Sequence, residues 1–219
     1  MRSRLSFSCL LLITVNIASH AQVNATLKLT LDSIYAVDQL YREILAKPAK
    51  KDSLAKAEGY DSQEVQTRIL TRMNAADAST MKKVEEIISQ YGYPGKSLVG
   101  EPTNEAAWHV IQHSKSIEQY FPMIEEAGQK KELPFTLVAK MQDRLLVQQG
   151  KEQIYGTQGR CDFPQGSSAI TQKPDCYIWP IANAAHVNER RKQAGFTDTV
   201  EDFAKSMGVT YRQRSLPKK

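Results

Sequence analysis

The chain is expected to be mainly α, a single-domain helical fold carrying one small two-stranded β-hairpin. Three observations lead there. Apolar side chains recur at three- and four-residue intervals over much of the sequence. Pro48, Gly92 and Gly150 stand where such runs stop. Only two short stretches, EQIYGTQ at 152–158 and CYIWPI at 176–181, carry the aromatic and β-branched residues of strands.

Taken in order, residues 27–47 place Leu27, Leu31, Ile34, Tyr41 and Leu45 at helical spacing. Pro48 is expected to end that helix, leaving the lysine-rich 49–61 as a connection. Helical patterns follow at about 62–73 and 77–91, the second with Asp77 or Ser79 as N-cap and Gly92 just past its end. GYPGKSLVGEP has the glycines and prolines of a loop. Thr103 is expected to cap the helix of TNEAAWHVIQHS. A helix over 117–129 comes next. Another starts near Leu133, with Pro134 in its first turn, and stops at Gly150. EQIYGTQ then pairs with CYIWPI across a cysteine-bounded loop, and two helices near 183–194 and 198–207 close the chain.

The first 21 residues are expected to be a signal peptide. Arg2 and Arg4 precede an apolar run from Leu5 to Ile17, and Ser19-His20-Ala21 has the small-x-small form of a cleavage site. The run is short for a membrane span, which takes about 20 residues. Residues 22–219 remain as one helical domain of ordinary size. Loss of the leader lowers the net charge from +5 to +3. Basic residues alternate with acids, as in KKVEE and ERRK, which argues for solvated helix faces and against a nucleic-acid partner. No other segment is long and apolar enough for a membrane span. The mature protein is then secreted, with the periplasm the expected compartment. There Cys161 and Cys176 form a disulfide by default, stabilising the fold by roughly 3 kcal/mol in the chain-entropy model.

The informative positions are polar residues on apolar stripes. Asp38 falls in line with Leu31, Ile34, Tyr41 and Leu45. His113 sits between Val110 and Ile117, Asp143 among Ala139, Leu146 and Val147, and Arg191 between Val187 and Ala194. An inward polar group needs partners. Two acids, a histidine and an arginine satisfy one another, and Arg42 and Arg144 can join them. Arg191 is the weakest member, since its long stem lets the charge reach water. His109 and His113 make an H-x-x-x-H pair, but Val110 replaces the glutamate of a zinc peptidase and no third ligand is evident, so no metal is expected.

In their order and spacing, DQLYR (38–42), YGYP…LVGE (91–101), AAWHVIQH (106–113), MQDR (141–144), GKEQIYGTQ (150–158), WPI (179–181) and VNERRKQAGF (187–196) resemble a bacterial family of unknown function with a Tyr-Gly-Thr-Gln signature. The resemblance runs over about 35–208. It implies a helical fold with Asp38, Gln39, Arg42, Trp108, His113, Asp143, Arg144, Gln153, Tyr155, Gly156, Thr157 and Gln158 as signature positions. It implies no activity.

Three functions are compatible with these residues, ligand binding being the preferred reading and the other two its alternatives. The first is a pocket for a polar ligand, a glycan or peptide fragment of the cell envelope. Arg42, Arg144, Gln153 and Gln158 would donate hydrogen bonds, Asp38 and Gln39 would belong to the polar set, and Trp108 and Tyr155 would form apolar walls. The second is a hydrolase with His113 as general acid or base, oriented by Asp143 or Asp38. The third is a buried structural network with the working surface elsewhere. Neither a phosphate loop nor a nucleophile motif is present, and no cofactor is expected. The partner is an unidentified small polar ligand or envelope component.

Overall fold

A computed structural model describes residues 23–163 and 174–217. The expectation of a signal peptide at residues 1–21 falls outside the described residues. The expectation of a mainly α fold with one small hairpin is met.

Helix α1, Ala25–Ala46, starts where Asn24 Oδ1 accepts the Leu27 N–H at 3.0 Å. Its stripe of Leu27, Leu31, Ile34 and Asp38 is buried. The expected connection at 49–61 is instead a helix, α2, Pro48–Glu58. Pro48 ends one helix and starts the next, because its fixed φ and missing N–H cost nothing at a first helical position. No residue of α2 is buried, so it carries no apolar period to read. The two patterns at 62–73 and 77–91 are a single helix, α3, Ser62–Tyr91. Asp61 caps it, accepting from the N–H groups of Gln63 and Glu64. Asp77 and Ser79 lie inside it rather than capping anything, since Ala75 and Ala76 continue the helix with no break to force a second start.

The loop after Gly92 holds one short turn of helix, α4, Lys96–Val99. Thr103 opens a 3-10 turn, Thr103–Glu105, and does not cap the next helix with its side chain: its Oγ1 donates to Asp32 Oδ1 at 2.7 Å, tying this turn to α1. Helices α5 (Ala106–His113), α6 (Ile117–Gln129) and α7 (Phe135–Gln148) follow. In α7, Pro134 sits at the N-cap.

The hairpin lies later than expected. Strands β1 (Gly159–Asp162) and β2 (Asp175–Ile178) pair antiparallel, with Cys161 opposite Cys176 and joined to it. EQIYGTQ is not a strand; it meets CYIWPI through an isolated bridge between Gln153 and Ile181 and through the Trp179 N–H, which donates to Gln158 O at 3.0 Å. The pleated alternation of a strand would send successive N–H groups to opposite sides. Here the N–H groups of Ile154 and Tyr155 turn to the same carboxylate, and Gly156 takes φ +69°. Helices α8 (Val187–Gln193) and α9 (Val200–Ser206) close the chain, the latter behind a Thr199–Asp202 capping box.

Two apolar cores result. The larger lies among α1, α3, α5, α6 and α7, with Leu31, Val84, Ile111, Ile124 and Met141 sealed from water. Each such side chain contributes about 1.5–3 kcal/mol on burial. The smaller joins β2, α8 and α9 through Ile178, Ile181, Val187, Val200 and Ala204. The segment 153–158 lies between them.

Candidate functional site

The inward polar residues do not form one network. They divide into two groups of different character.

The first group fixes the segment 153–158. Asp143, fully buried on α7, accepts four donors. Its Oδ1 takes the N–H of Ile154 (2.7 Å) and of Tyr155 (3.0 Å), and its Oδ2 takes the N–H (3.0 Å) and Oγ1 (2.9 Å) of Thr157. Burial pushes the Asp143 carboxyl up from the ordinary range, and the four donors oppose that shift. The carbonyls of the same segment are held from the other side. Arg190 donates to Ile154 O, and Arg191 to Tyr155 O. Gln153, also fully buried, is saturated: its Nε2 donates to the carbonyls of Gln158 and Trp179, and its Oε1 accepts the Gln158 N–H. Gly156 lies against the smaller core so closely that a Cβ there would meet Val200 Cγ2 at 2.7 Å and Ile181 Cδ1 at 2.8 Å.

These facts correct several expectations. Arg191 does not reach water. It is 1 % exposed and bonded to Tyr155 O, Asp198 O and Asp198 Oδ1. The Asp143 carboxylate is spent on backbone and on Thr157, and the His113 imidazole is bonded to a different acid. Gln153 has no donor left for a ligand. Trp108 is a core residue, 3 % exposed, whose Nε1 donates to Leu137 O at 2.9 Å, so it walls no cleft. Tyr155 is half-buried with its ring 6.3 Å from that of Phe196. Gln158 Nε2 turns back to Thr157.

The second group stands at an open cleft, with Asp38 buried beneath it. Asp38, on α1, is 1 % exposed. Its Oδ1 lies 3.2 Å from His113 Nδ1, at the C-terminal end of α5. An ionised carboxylate only accepts, so the proton of this bond belongs to Nδ1. That leaves Nε2 as an acceptor, and it has no hydrogen-bond partner among the described residues. Asp38 Oδ2 takes Gln39 Nε2 at 2.6 Å. Arg42, one turn further along α1, donates through Nη1 to the Asp38 carbonyl and through Nη2 to Asp77 Oδ2 at 2.9 Å. Its Nη1 also stands 3.4 Å from Asp38 Oδ1.

Arg42, Leu45, Met73, Asp77, His113 and Arg144 are among the residues around the cleft, about 680 Å³ in volume. Arg144, half-buried on α7, donates through Nη1 to Gln112 O at 3.2 Å and makes no ion pair among the described residues. Burial lowers its pKa, the direction expected of a cation held out of water without an anion. The arrangement therefore offers a cation seeking an anion, and an imidazole with one nitrogen oriented and the other open.

His109 faces a different, smaller cavity of about 100 Å³ with Asp32, Tyr35 and Glu105. Burial pushes its pKa down. No group of three or more His, Cys, Asp or Glu side chains suited to a metal ion occurs among the described residues. The sequence reading missed Asp77, which it took for a helix cap. It also missed Arg190 and Asp198, whose surface-like spacing carries no apolar-stripe signal.

The chain matches the Family of unknown function (DUF6624) over residues 38–213, and it belongs to that family. No curated protein and no solved structure matches it.

Proposed function

We propose that this family member is an exported hydrolase whose His113 cleft binds an anionic group and breaks a neighbouring bond by general acid–base catalysis. The carrying observation is the pairing in one cleft of an oriented histidine with an unpaired arginine. His113 is fixed through Nδ1 by buried Asp38, and Arg144 has no anion among the described residues. In this reading Nε2 accepts a proton from water as the water attacks, and the imidazolium then gives that proton to the leaving group. Asp38 holds the ring and stabilises the imidazolium. Arg144 holds the anionic group and negative charge as it develops. Water is the nucleophile, because the nearby Ser114 Oγ already donates to Ile111 O and accepts the Ser116 N–H.

Export rests on the leader read at residues 1–21, and the Cys161–Cys176 disulfide supports an oxidising compartment such as the periplasm. Residues 22–219 then form the mature domain. The substrate class that fits the compartment is a glycan or peptide fragment of the envelope bearing a carboxylate or phosphate. A second reading, a binding cleft without turnover, is favoured by the apolar rim of Leu45, Ala46 and Met73, which suits docking of a larger ligand.

The test is turnover of p-nitrophenyl phosphate, p-nitrophenyl acetate and their succinate-type anionic esters. Anionic substrates should be cleaved, His113→Gln should lower kcat by about 10²-fold or more, and Arg144→Gln should raise KM. Binding of the anionic esters without cleavage would favour the second reading. Neither binding nor cleavage would overturn both.

A further inference from the structure

We propose that Asp77 is a positioning residue: by holding Arg42 through Oδ2, it confines the guanidinium to one long contact with Asp38 Oδ1 and leaves the shorter bond to that oxygen to His113. This rests on the acid–base reading of the cleft and extends it to a residue on a different helix.

Two donors converge on one oxygen. His113 Nδ1 lies 3.2 Å from Asp38 Oδ1, and Arg42 Nη1 lies 3.4 Å from the same atom. The other oxygen, Oδ2, is taken by Gln39. A guanidinium forms the stronger, charge-assisted bond with a carboxylate and prefers to do so with two parallel contacts. Left to itself, Arg42 should close on Asp38 and weaken the bond to the neutral imidazole. What it does instead is donate Nη1 to the Asp38 carbonyl and turn Nη2 away to Asp77, 2.9 Å distant on α3. Asp77 is 35 residues from Arg42 in sequence, so this restraint exists only through the packing of α3 on α1.

Asp77 makes this contact with half of its carboxylate. Asp77 Oδ1 is buried and has no hydrogen-bond partner among the described residues. A buried acceptor left unmade is destabilising. The carboxylate therefore meets Arg42 through one oxygen alone. The charged and titratable groups set around His113 are Asp38 and Arg42 on α1, Asp77 on α3, His109 on its own helix and Arg144 on α7. Of these, only Arg42 both touches Asp38 and is restrained by another acid.

The readout is the tautomer of His113, seen in long-range ¹H–¹⁵N spectra of the mature chain at about pH 8, where free imidazole is neutral. The wild-type ring should carry its proton on Nδ1. In Asp77→Asn, Arg42 should move onto Asp38 Oδ1, the Nε2–H tautomer should grow, and kcat should fall about tenfold with KM held. In an Arg42→Met background, Asp77→Asn should leave the tautomer unchanged. No tautomer change in Asp77→Asn, or a change that persists without Arg42, would overturn the proposal. If Asp77→Asn does not fold, Arg42→Met alone decides: the Nδ1–H form should remain, and its loss would overturn the proposal. A wild-type ring already protonated on Nε2 would instead remove the acid–base reading on which this one rests.

Discussion

Replacing Asp143 by asparagine should destabilise the protein by about 3 kcal/mol and leave the His113 cleft working. The carboxylate offers two oxygens to four donors: Oδ1 takes Ile154 and Tyr155, Oδ2 takes both Thr157 groups, and the Tyr155 N–H also reaches Oδ2 at 3.2 Å. An amide offers one oxygen. Placed at the Oδ1 position, it still serves Ile154 and Tyr155 but without the charge that strengthens such bonds. Its NH₂ then faces Thr157. The Thr157 hydroxyl can turn to accept from it. The Thr157 N–H cannot, and it is buried. One stranded N–H costs about 1–3 kcal/mol, and the loss of charge assistance on the remaining bonds adds about 1 kcal/mol. For a chain of this size, about 3 kcal/mol lowers Tm by roughly 6–12 °C. Urea unfolding followed by circular dichroism gives the value directly. A loss below about 1 kcal/mol would refute the reasoning. So would loss of turnover at unchanged stability, which would place Asp143 in the chemistry instead.

Gly156→Ala should cost about 2–4 kcal/mol, because φ +69° disfavours a side chain and the new Cβ would meet Val200 and Ile181 well inside contact distance; a thermal melt within 1 °C of wild type would contradict this. Reducing Cys161–Cys176, or replacing both by serine, should lower stability by about 2–3 kcal/mol through the freed loop, read as a lower urea midpoint with a slope that stays equal or steepens. His109 is held neutral by burial, so its folded pKa lies below the unfolded value. The unfolded chain then binds the extra proton, and stability should fall as pH drops below about 6.5 towards the folded pKa. His109→Gln should flatten that part of the stability–pH curve, and an unchanged slope would count against the assignment.

The long helices were legible because burial imposes a period on them: Leu27, Leu31, Ile34 and Asp38 repeat as the α1 stripe that meets α3 and α5. Helix α2 was not, because it buries nothing and so leaves no period. Asp38, Asp143 and Arg191 were each recognised as inward-facing from their neighbours, and all three are buried. Their partners were not recognisable. Asp143 is satisfied by backbone N–H groups, which have no side-chain signature, and their convergence depends on a turn at Gly156 that strand-like composition disguised. Asp77 was hidden for a related reason. An acid near a polar stretch fits a helix cap, and only the continuity of α3 shows that it points at Arg42. Aromatic residues misled in the opposite sense: Trp108 has the chemistry of a pocket wall, yet its indole N–H is used to bond Leu137 inside the core.

That the His113 cleft is built for an anion is tested most directly by titrating the mature protein with inorganic phosphate while following the Arg144 guanidinium and His113 ring resonances. Saturable shifts at both residues, absent in Arg144→Gln, are the expected result. Phosphate that leaves both residues unmoved, or moves them equally in Arg144→Gln, would contradict it.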